Sequence, residues 1–464
     1  MNAKTQPGAN GTGKHEEVCL RGQSMDDGVQ HDGAVSVHGQ RGSSNERLKA
    51  RIARNEREIR RLRNSVSFQL GLHLTNAVRQ PWRLPFLPLT FPLHAFRLGL
   101  QRLGKRPVAL TDGIESTGDV ERNHCIVLFP TNGVGFGHFT RMYAVARALR
   151  KADPSLEIVF FTPMPTLHVL YSDQFPTYHL AGRYKHANMS ATQWNGLVED
   201  MLHLVFDQHR PRWFMFDGAF PYRGMLNAIA SQKGMEKWWM RRGSMKANTS
   251  VPVDSFDFFD GFIVPGEATG DETEREHVVP PIRVMDPDEV WDRSYARSRL
   301  AVPEDAKVVY VQLGAGRIND IEGVLNRVLD ALFAHEHVHV VLGESMLGER
   351  LDVHHERLRV IRDYPNSLYI KGFDAAVQAG GYNSYQEMRT FGVPTLFIPN
   401  TDTGMDDQVK RCKQAEEEGW GLVAYPDETS FESAIGTLLR LQNSPRSEDN
   451  GAASVPNLLG IHGP

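Results

Sequence analysis

Cysteine is scarce in this chain: among 464 residues there are three, Cys19, Cys125 and Cys412. They lie far apart, form no CxxC pair and match no metal-ligand spacing, which argues against a cysteine-held metal site and fits a reducing compartment. Long apolar runs are missing as well. No stretch of 18 or more apolar residues occurs, so no membrane-spanning helix is expected. The first residues, MNAKTQPGANGTGKHEEV, lack an apolar h-region, so no signal peptide is expected. An excess of one charge is absent too. The net charge of −4 does not suggest a nucleic-acid partner for the chain as a whole, and none is expected, although basic residues are concentrated early. What is present is ordinary for a globular protein, with 41% hydrophobic and 23% charged residues in a length that suits two domains plus extensions.

Residues 1–43 are rich in Gly, Ser, Gln and Asp and are expected to be disordered, as is the tail 445–464, PRSEDNGAASVPNLLGIHGP. Residues 44–122 form a basic amphipathic extension and linker. Leu48, Ile52, Ile59 and Leu62 fall on one helical face among Arg and Glu, which suits a solvated helix, a short coiled coil, or a basic helix near an anionic membrane. Next comes an apolar, Arg-studded stretch interrupted by Pro81, Pro85, Pro88 and Pro92, a spacing that forbids one continuous helix. Phe86, Leu87, Leu89, Phe91 and Leu93 must pack on the body or dip into a bilayer interface, with Trp82 and the arginines at headgroup level. The stretch resembles an N-terminal element of bacterial enzymes of surface-polysaccharide assembly. Contact with a membrane surface through residues 44–106 is the expectation that follows.

From residue 123 the pattern changes to short apolar strands alternating with helical periodicity, first over 123–285 and again over 286–444. The stretch 266–303 is acidic and weakly periodic and holds the boundary. Two consecutive doubly wound α/β units without a dehydrogenase fingerprint predict the GT-B architecture, with a ligand cleft between the domains.

The first motif is TNGVGFGHFTRM (131–142), between a strand and a helix. Gly133, Gly135 and Gly137 permit close backbone approach to a ligand, and the helix start beyond them favours negative charge. The spacing is GxGxG rather than GxGxxG, and no acid follows the second strand, which disfavours a nicotinamide cofactor. His138 at the loop–helix junction is a candidate general base, because imidazole titrates near neutrality; alternatively it only caps the helix. The segment resembles the Gly-rich loop of family-28-type glycosyltransferases, which include the peptidoglycan N-acetylglucosaminyltransferases, and the resemblance implies the base role. Asp217, ending the strand WFMFD, either orients His138, touches the acceptor or caps a helix. Arg241, Arg242 and Gly243 follow KWWM and are candidates for an anionic acceptor.

In the second unit, QLGAGRIND (312–320) offers Gly314, Gly316 and Arg317 to a diphosphate, and VLGES (341–345) brings Gly343 and Glu344 to a strand end. The most informative stretch is FDAAVQAGGYNSYQEMRTFGVPTLFIPNTDTGMDDQVKRCKQAEEEG (373–419). Gly380 and Gly381 end a strand, Asn383 and Ser384 are candidate helix caps, and Glu387 follows one turn later. Asp406, Asp407 and Gln408 stand near the next helix start, where carboxylate and amide suit sugar hydroxyls. The order resembles the nucleotide-sugar signature of family-28-type enzymes. That resemblance implies a diphosphate at Gly380, Gly381, Asn383 and Ser384, ribose at Glu387, and the sugar at Asp407 and Gln408. The pair here is Asp-Gln where the peptidoglycan enzymes carry two Gln, which leaves the sugar open.

The expected activity is therefore transfer of a hexosyl or N-acetylhexosaminyl group from a nucleotide sugar to a glycan or lipid-linked acceptor, by single displacement with inversion. UDP is the carrier the resemblance implies. No DxD motif ends a strand in a suitable context, so no metal and no cofactor beyond the co-substrate are expected. The expected location is cytoplasmic, on the inner membrane face if the extension binds lipid. A nucleotide-sugar hydrolase or epimerase, and a non-catalytic GT-B-like subunit of an assembly complex, stay open as alternatives.

Overall fold

The structure is a computed structural model that describes residues 66–79, 81–102, 121–131, 135–186, 189–241, 253–266, 275–314, 321–346, 350–401, 406–427, 430–446 and 448–463. The basic helix expected over 44–66 and the disorder expected over 1–43 lie essentially outside the described residues.

Two all-parallel sheets organise the chain. The first comprises β1 (Asn123–Pro130), β2 (Glu157–Thr162), β3 (Thr177–His179), β4 (Pro211–Asp217), β5 (Glu236–Met240), β6 (Gly261–Pro265) and β7 (Glu276–Val279). The second comprises β8 (Lys307–Gln312), β9 (Val338–Gly343), β10 (Leu358–Ile361), β11 (Ala375–Gln378), β12 (Thr395–Phe397) and β13 (Gly421–Val423). Their orders are β3-β2-β1-β4-β5-β6-β7 and β10-β9-β8-β11-β12-β13. These are the two Rossmann-like, doubly wound domains of the GT-B architecture.

Continuous apolar strands form because both faces of each sheet are covered. Along β1, Cys125, Val127 and Phe129 enter one apolar cluster while Ile126 and Leu128 enter another. Along β8, Val309 and Val311 face a third cluster, but Val308 and Tyr310 join the same cluster as Ile126 and Leu128. One apolar core therefore runs through the junction between the domains. In each sheet the chain reverses its winding between neighbouring central strands, β1 and β4 in one and β8 and β11 in the other. In sheets of this kind the loops leaving such strands part, which puts the expected ligand crevice at the carboxyl edge.

The sequence reading missed β3, β7 and the helix Arg293–Leu300. That helix is N-capped by Asp292, whose carboxylate accepts the Tyr295 amide at 2.8 Å. The expected disorder of 445–464 is corrected as well. Asn450 caps a short 3-10 turn over Gly451–Ser454, and a helical turn follows over Val455–Leu458. Val455, Leu459 and Ile461 are buried in the junction core. Few in number, these residues cannot build a core of their own, but they complete that of the first domain.

N-terminal to the sheets, α1 (Val66–Arg79) and α2 (Leu87–Arg102) form a hairpin through a 3-10 segment, Pro81–Phe86. The expected break falls at Pro81–Phe86. Pro88 sits in the first turn of α2, where its missing N–H is not needed, and Pro92 lies inside the helix.

Candidate functional site

Asp217 is the last residue of β4 and pairs in register with Pro130, the last residue of β1. The glycine loop that follows β1 leads into helix α3 (Gly137–Ala152), whose second residue is His138. Adjacent strand ends thus set a carboxylate beside the start of a helix. His138 Nδ1 lies 2.6 Å from Asp217 Oδ1, both residues being buried. One turn along α3, Arg141 clamps the same carboxylate, with Nε to Oδ2 at 3.0 Å and Nη2 to Oδ1 at 2.6 Å. Burial opposes ionisation of Asp217, but Arg141 and His138 outweigh it and hold the carboxyl below its usual range. Burial likewise opposes the Arg141 charge, and Asp217 outweighs it. A carboxylate only accepts, so the 2.6 Å contact has the imidazole donating from Nδ1. The Asp217 carboxylate thus contacts His138, and the helix that follows β4 is capped at Tyr222 rather than by Asp217.

In the second domain, helix α4 (Tyr382–Phe391) begins directly after β11, with Gly381 as N-cap. Asn383 and Ser384 are not caps, which corrects the sequence reading; Asn383 Nδ2 donates to Gly137 O at 3.2 Å, across the junction. A Cβ on Gly381 would meet nothing within 4 Å, whereas one on Gly380 would lie 2.3 Å from Cys412 Sγ. Gly381 therefore borders open space and Gly380 lets the following helix approach. Gly314, just after β8, has φ +98°, a conformation that favours glycine. A side chain on Gly343 would strike the Tyr310 hydroxyl. Glu344 is buried and accepts the Leu351 amide at 2.7 Å, which ties it to its own loop. Gly133, Gly316, Arg317, Arg242 and Gly243 lie outside the described residues.

Glu387, on the face of α4 below Asn383, loses hydration, and its carboxyl is pushed up to about 7; the Ser367 hydroxyl and the Arg283 guanidinium oppose the rise. Asp407 is the N-cap of helix α5 (Gln408–Glu417), accepting the Lys410 amide at 3.0 Å. Gln408 accepts the Asn400 amide at 3.0 Å, and Asp406 pairs with Arg411 at 2.9 Å. The Asp-Gln pair thus shapes the loop before α5. Arg241 is committed to Glu276 at the edge of the first sheet and to the rings of Trp239, Phe256 and Phe262.

Three residues that the sequence reading passed over join the domains here. The Tyr382 ring has the guanidiniums of Arg141 and Arg411 over it, at 5.4 and 5.7 Å, and its hydroxyl donates to Pro265 O at 2.9 Å. Tyr364 stacks on Phe136 and donates to the Thr140 hydroxyl at 3.1 Å. Arg141 was visible three residues after His138. Its partner is 76 residues away and becomes its neighbour only through the β1–β4 pairing.

Among the described residues, Cys125, Glu157 and His209 bring possible metal-ligand atoms within 4.8 Å of one another. His209 there already bonds Glu157 at 2.8 Å and Tyr178 at 2.9 Å, and the trio lies at the opposite edge of the first sheet from His138.

No family model matches the chain. Over 164 residues it is 32% identical to the UDP-N-acetylglucosamine–N-acetylmuramyl-(pentapeptide) pyrophosphoryl-undecaprenol N-acetylglucosamine transferase of Salinibacter ruber, a match covering 33% of this chain and 43% of that protein. The chain therefore spans less than half the length of this curated relative. The family-28 resemblance read from the motifs agrees with it. Among solved structures, the glycosyltransferase of kitacinnamycin superposes with a TM-score of 0.50 at 16% identity, covering 74% of this chain and 94% of that one. The UDP-GlcNAc 2-epimerase of Methanocaldococcus jannaschii superposes with a TM-score of 0.51 at 12% identity, covering 72% and 99%. At such identities these structures share the fold.

Proposed function

We propose that this chain is an inverting glycosyltransferase that moves a hexosyl or N-acetylhexosaminyl group from a nucleotide sugar, with UDP as carrier, to a lipid-linked or glycan acceptor of the cell envelope. The observation that carries the reading is the buried His138–Asp217 pair, held beside the N-terminal end of α4 across the domain junction. His138 Nε2 takes the proton of the acceptor hydroxyl as its oxygen attacks the anomeric carbon. The bond from that carbon to the diphosphate breaks, and the nucleoside diphosphate leaves against the backbone amides at Gly314, Gly380 and Gly381 and the start of α4. Glu387 takes the ribose hydroxyls, and the loop carrying Asp407 and Gln408 borders the sugar. UDP and the lipid-linked acceptor rest on the Salinibacter relative, whose name contains both chemistries. No metal or further cofactor enters this scheme.

The same proposal includes a peripheral position on the cytoplasmic face of a membrane. No helix of the described residues is long and apolar enough to cross one. Among the described residues, nine of the sixteen exposed large hydrophobic side chains lie between Phe68 and Phe96, in the α1–α2 hairpin. Residues 66–106 hold six basic side chains and no acidic one. That pairing of apolar surface with positive charge suits an anionic lipid interface.

The fold is shared with an epimerase, so donor specificity and acceptor dependence are the test. UDP-sugars are expected to raise the melting temperature where GDP- and dTDP-sugars do not, by the equivalent of about 2.7 kcal/mol at a hundredfold excess over Kd. Transfer to a lipid-linked acceptor should survive EDTA and fall by a factor of about 100 or more in His138→Ala. Stabilisation by no nucleotide sugar would overturn the reading, and turnover of the donor without acceptor would establish the epimerase or hydrolase. Full activity of an assembled complex carrying His138→Ala would establish the non-catalytic subunit.

A further inference from the structure

We infer that Arg141 is a positioning residue for the His138–Asp217 pair: it grips the carboxylate at both oxygens, fixes the imidazole with its proton on Nδ1, and cancels the negative charge that would otherwise favour a protonated imidazole. The inference rests on the base role proposed for His138 and says how that base is kept ready.

Asp217 Oδ1 receives His138 Nδ1 and Arg141 Nη2, both at 2.6 Å. The two nitrogens are 2.9 Å apart, and a guanidinium has no lone pair to offer, so they are two donors converging on one acceptor. Rotation of the carboxylate is blocked because Nε holds Oδ2 at 3.0 Å. The guanidinium is itself held. It lies against the Tyr382 ring, which Arg411, with its own carboxylate Asp406, also approaches. Among the described residues, the charged and titratable groups facing His138 include Asp217 from β4, Arg141 from α3 and, beyond Arg141, Tyr382 from α4 with the Arg411–Asp406 pair.

Counting charge gives the consequence. Asp217 and Arg141 sum to zero, and so do Asp406 and Arg411. A buried His–Asp pair without the arginine would carry one negative charge and would hold a proton near neutrality. With the arginine, protonation of His138 adds an uncompensated positive charge to a site almost closed to water. Proton uptake by the imidazole is therefore easiest when negative charge develops nearby. In a glycosyl transfer that charge appears on the departing diphosphate, so the same guanidinium that weakens the base at rest couples its use to bond cleavage.

The test needs the full-length protein and carbon-13-labelled histidine, with His138 assigned by the resonance lost in His138→Ala. In Arg141→Met, the midpoint of the His138–Asp217 titration is expected to rise by about one pH unit or more relative to wild type. Arg141→Lys, which restores the charge, should return most of that rise. Arg141→Gln, which keeps one bond to the carboxylate, gives the same reading if the Met variant does not fold. The acid limb of the transfer rate should move upward in parallel. A folded Met or Gln variant whose midpoint stays at the wild-type value overturns the inference. Transfer that survives His138→Ala overturns the base role alone, because the titration shift does not depend on turnover.

Discussion

Glu387 sits where its ionised form is costly to keep. Its carboxyl is raised from 4.5 to about 7 in the folded chain, so the native state keeps a proton that the unfolded chain releases. Stability from this group is therefore complete below about pH 4.5 and declines as pH rises towards 7, by at most on the order of 3 kcal/mol. Glu387→Gln should abolish that decline: by calorimetry the variant should melt above wild type at pH 8, with the difference vanishing near pH 4. For UDP the expectation reverses. Ribose hydroxyls donate to the carboxylate, so wild-type affinity, measured by titration calorimetry, should weaken as pH falls below 7, while the Gln variant binds weakly throughout. An unchanged UDP affinity in Glu387→Gln would remove the ribose role. The position of Glu387 was legible from the order of Gly-Gly, Glu and Gly-Val-Pro. The work of its neighbours was not. Asp407 caps a helix and Asn383 reaches a carbonyl of the other domain, and neither partner follows from local spacing. Arg141 escaped for the same reason, since sequence shows a helix position and not the strand that lies beside it.

At the scale of elements, the strands read best because parallel strands buried on both faces are unbroken apolar runs, as in CIVLFP and VHVVLG. β3 and β7 escaped because three or four half-buried residues at sheet edges carry no such run. The proline-interrupted hairpin was legible as a break and as an apolar surface, yet Pro92 is accommodated within α2. Its exposed face makes a separable prediction. Replacing Trp82, Leu89, Leu93 and Phe96 with Ser should lower binding to vesicles containing anionic lipid roughly tenfold or more in a flotation assay. Donor-induced stabilisation should be unaffected. Equal flotation of variant and wild type would remove the hairpin from the membrane reading.

The molecule as a whole is tied together by its last residues. Ser444 and Arg446 donate to the carbonyls of Gly392 and Thr390 in the second domain, and Gly451 then donates to Pro281 O in the first. Val455 and Ile461, at 0% and 1% exposure, finish the core beneath α3. Val455→Asp is expected to cost on the order of 3 kcal/mol or more, measured as a lower midpoint in urea. An unchanged midpoint would mean that the tail is an ornament. Composition suggested disorder here because the apolar partners of Val455, Leu459 and Ile461 lie about 300 residues earlier in the sequence. This return also fixes an order of birth. As the chain leaves the ribosome, the second domain has its whole sequence available while the first still waits for its final residues. The half that appears first is thus completed only after the second has been made.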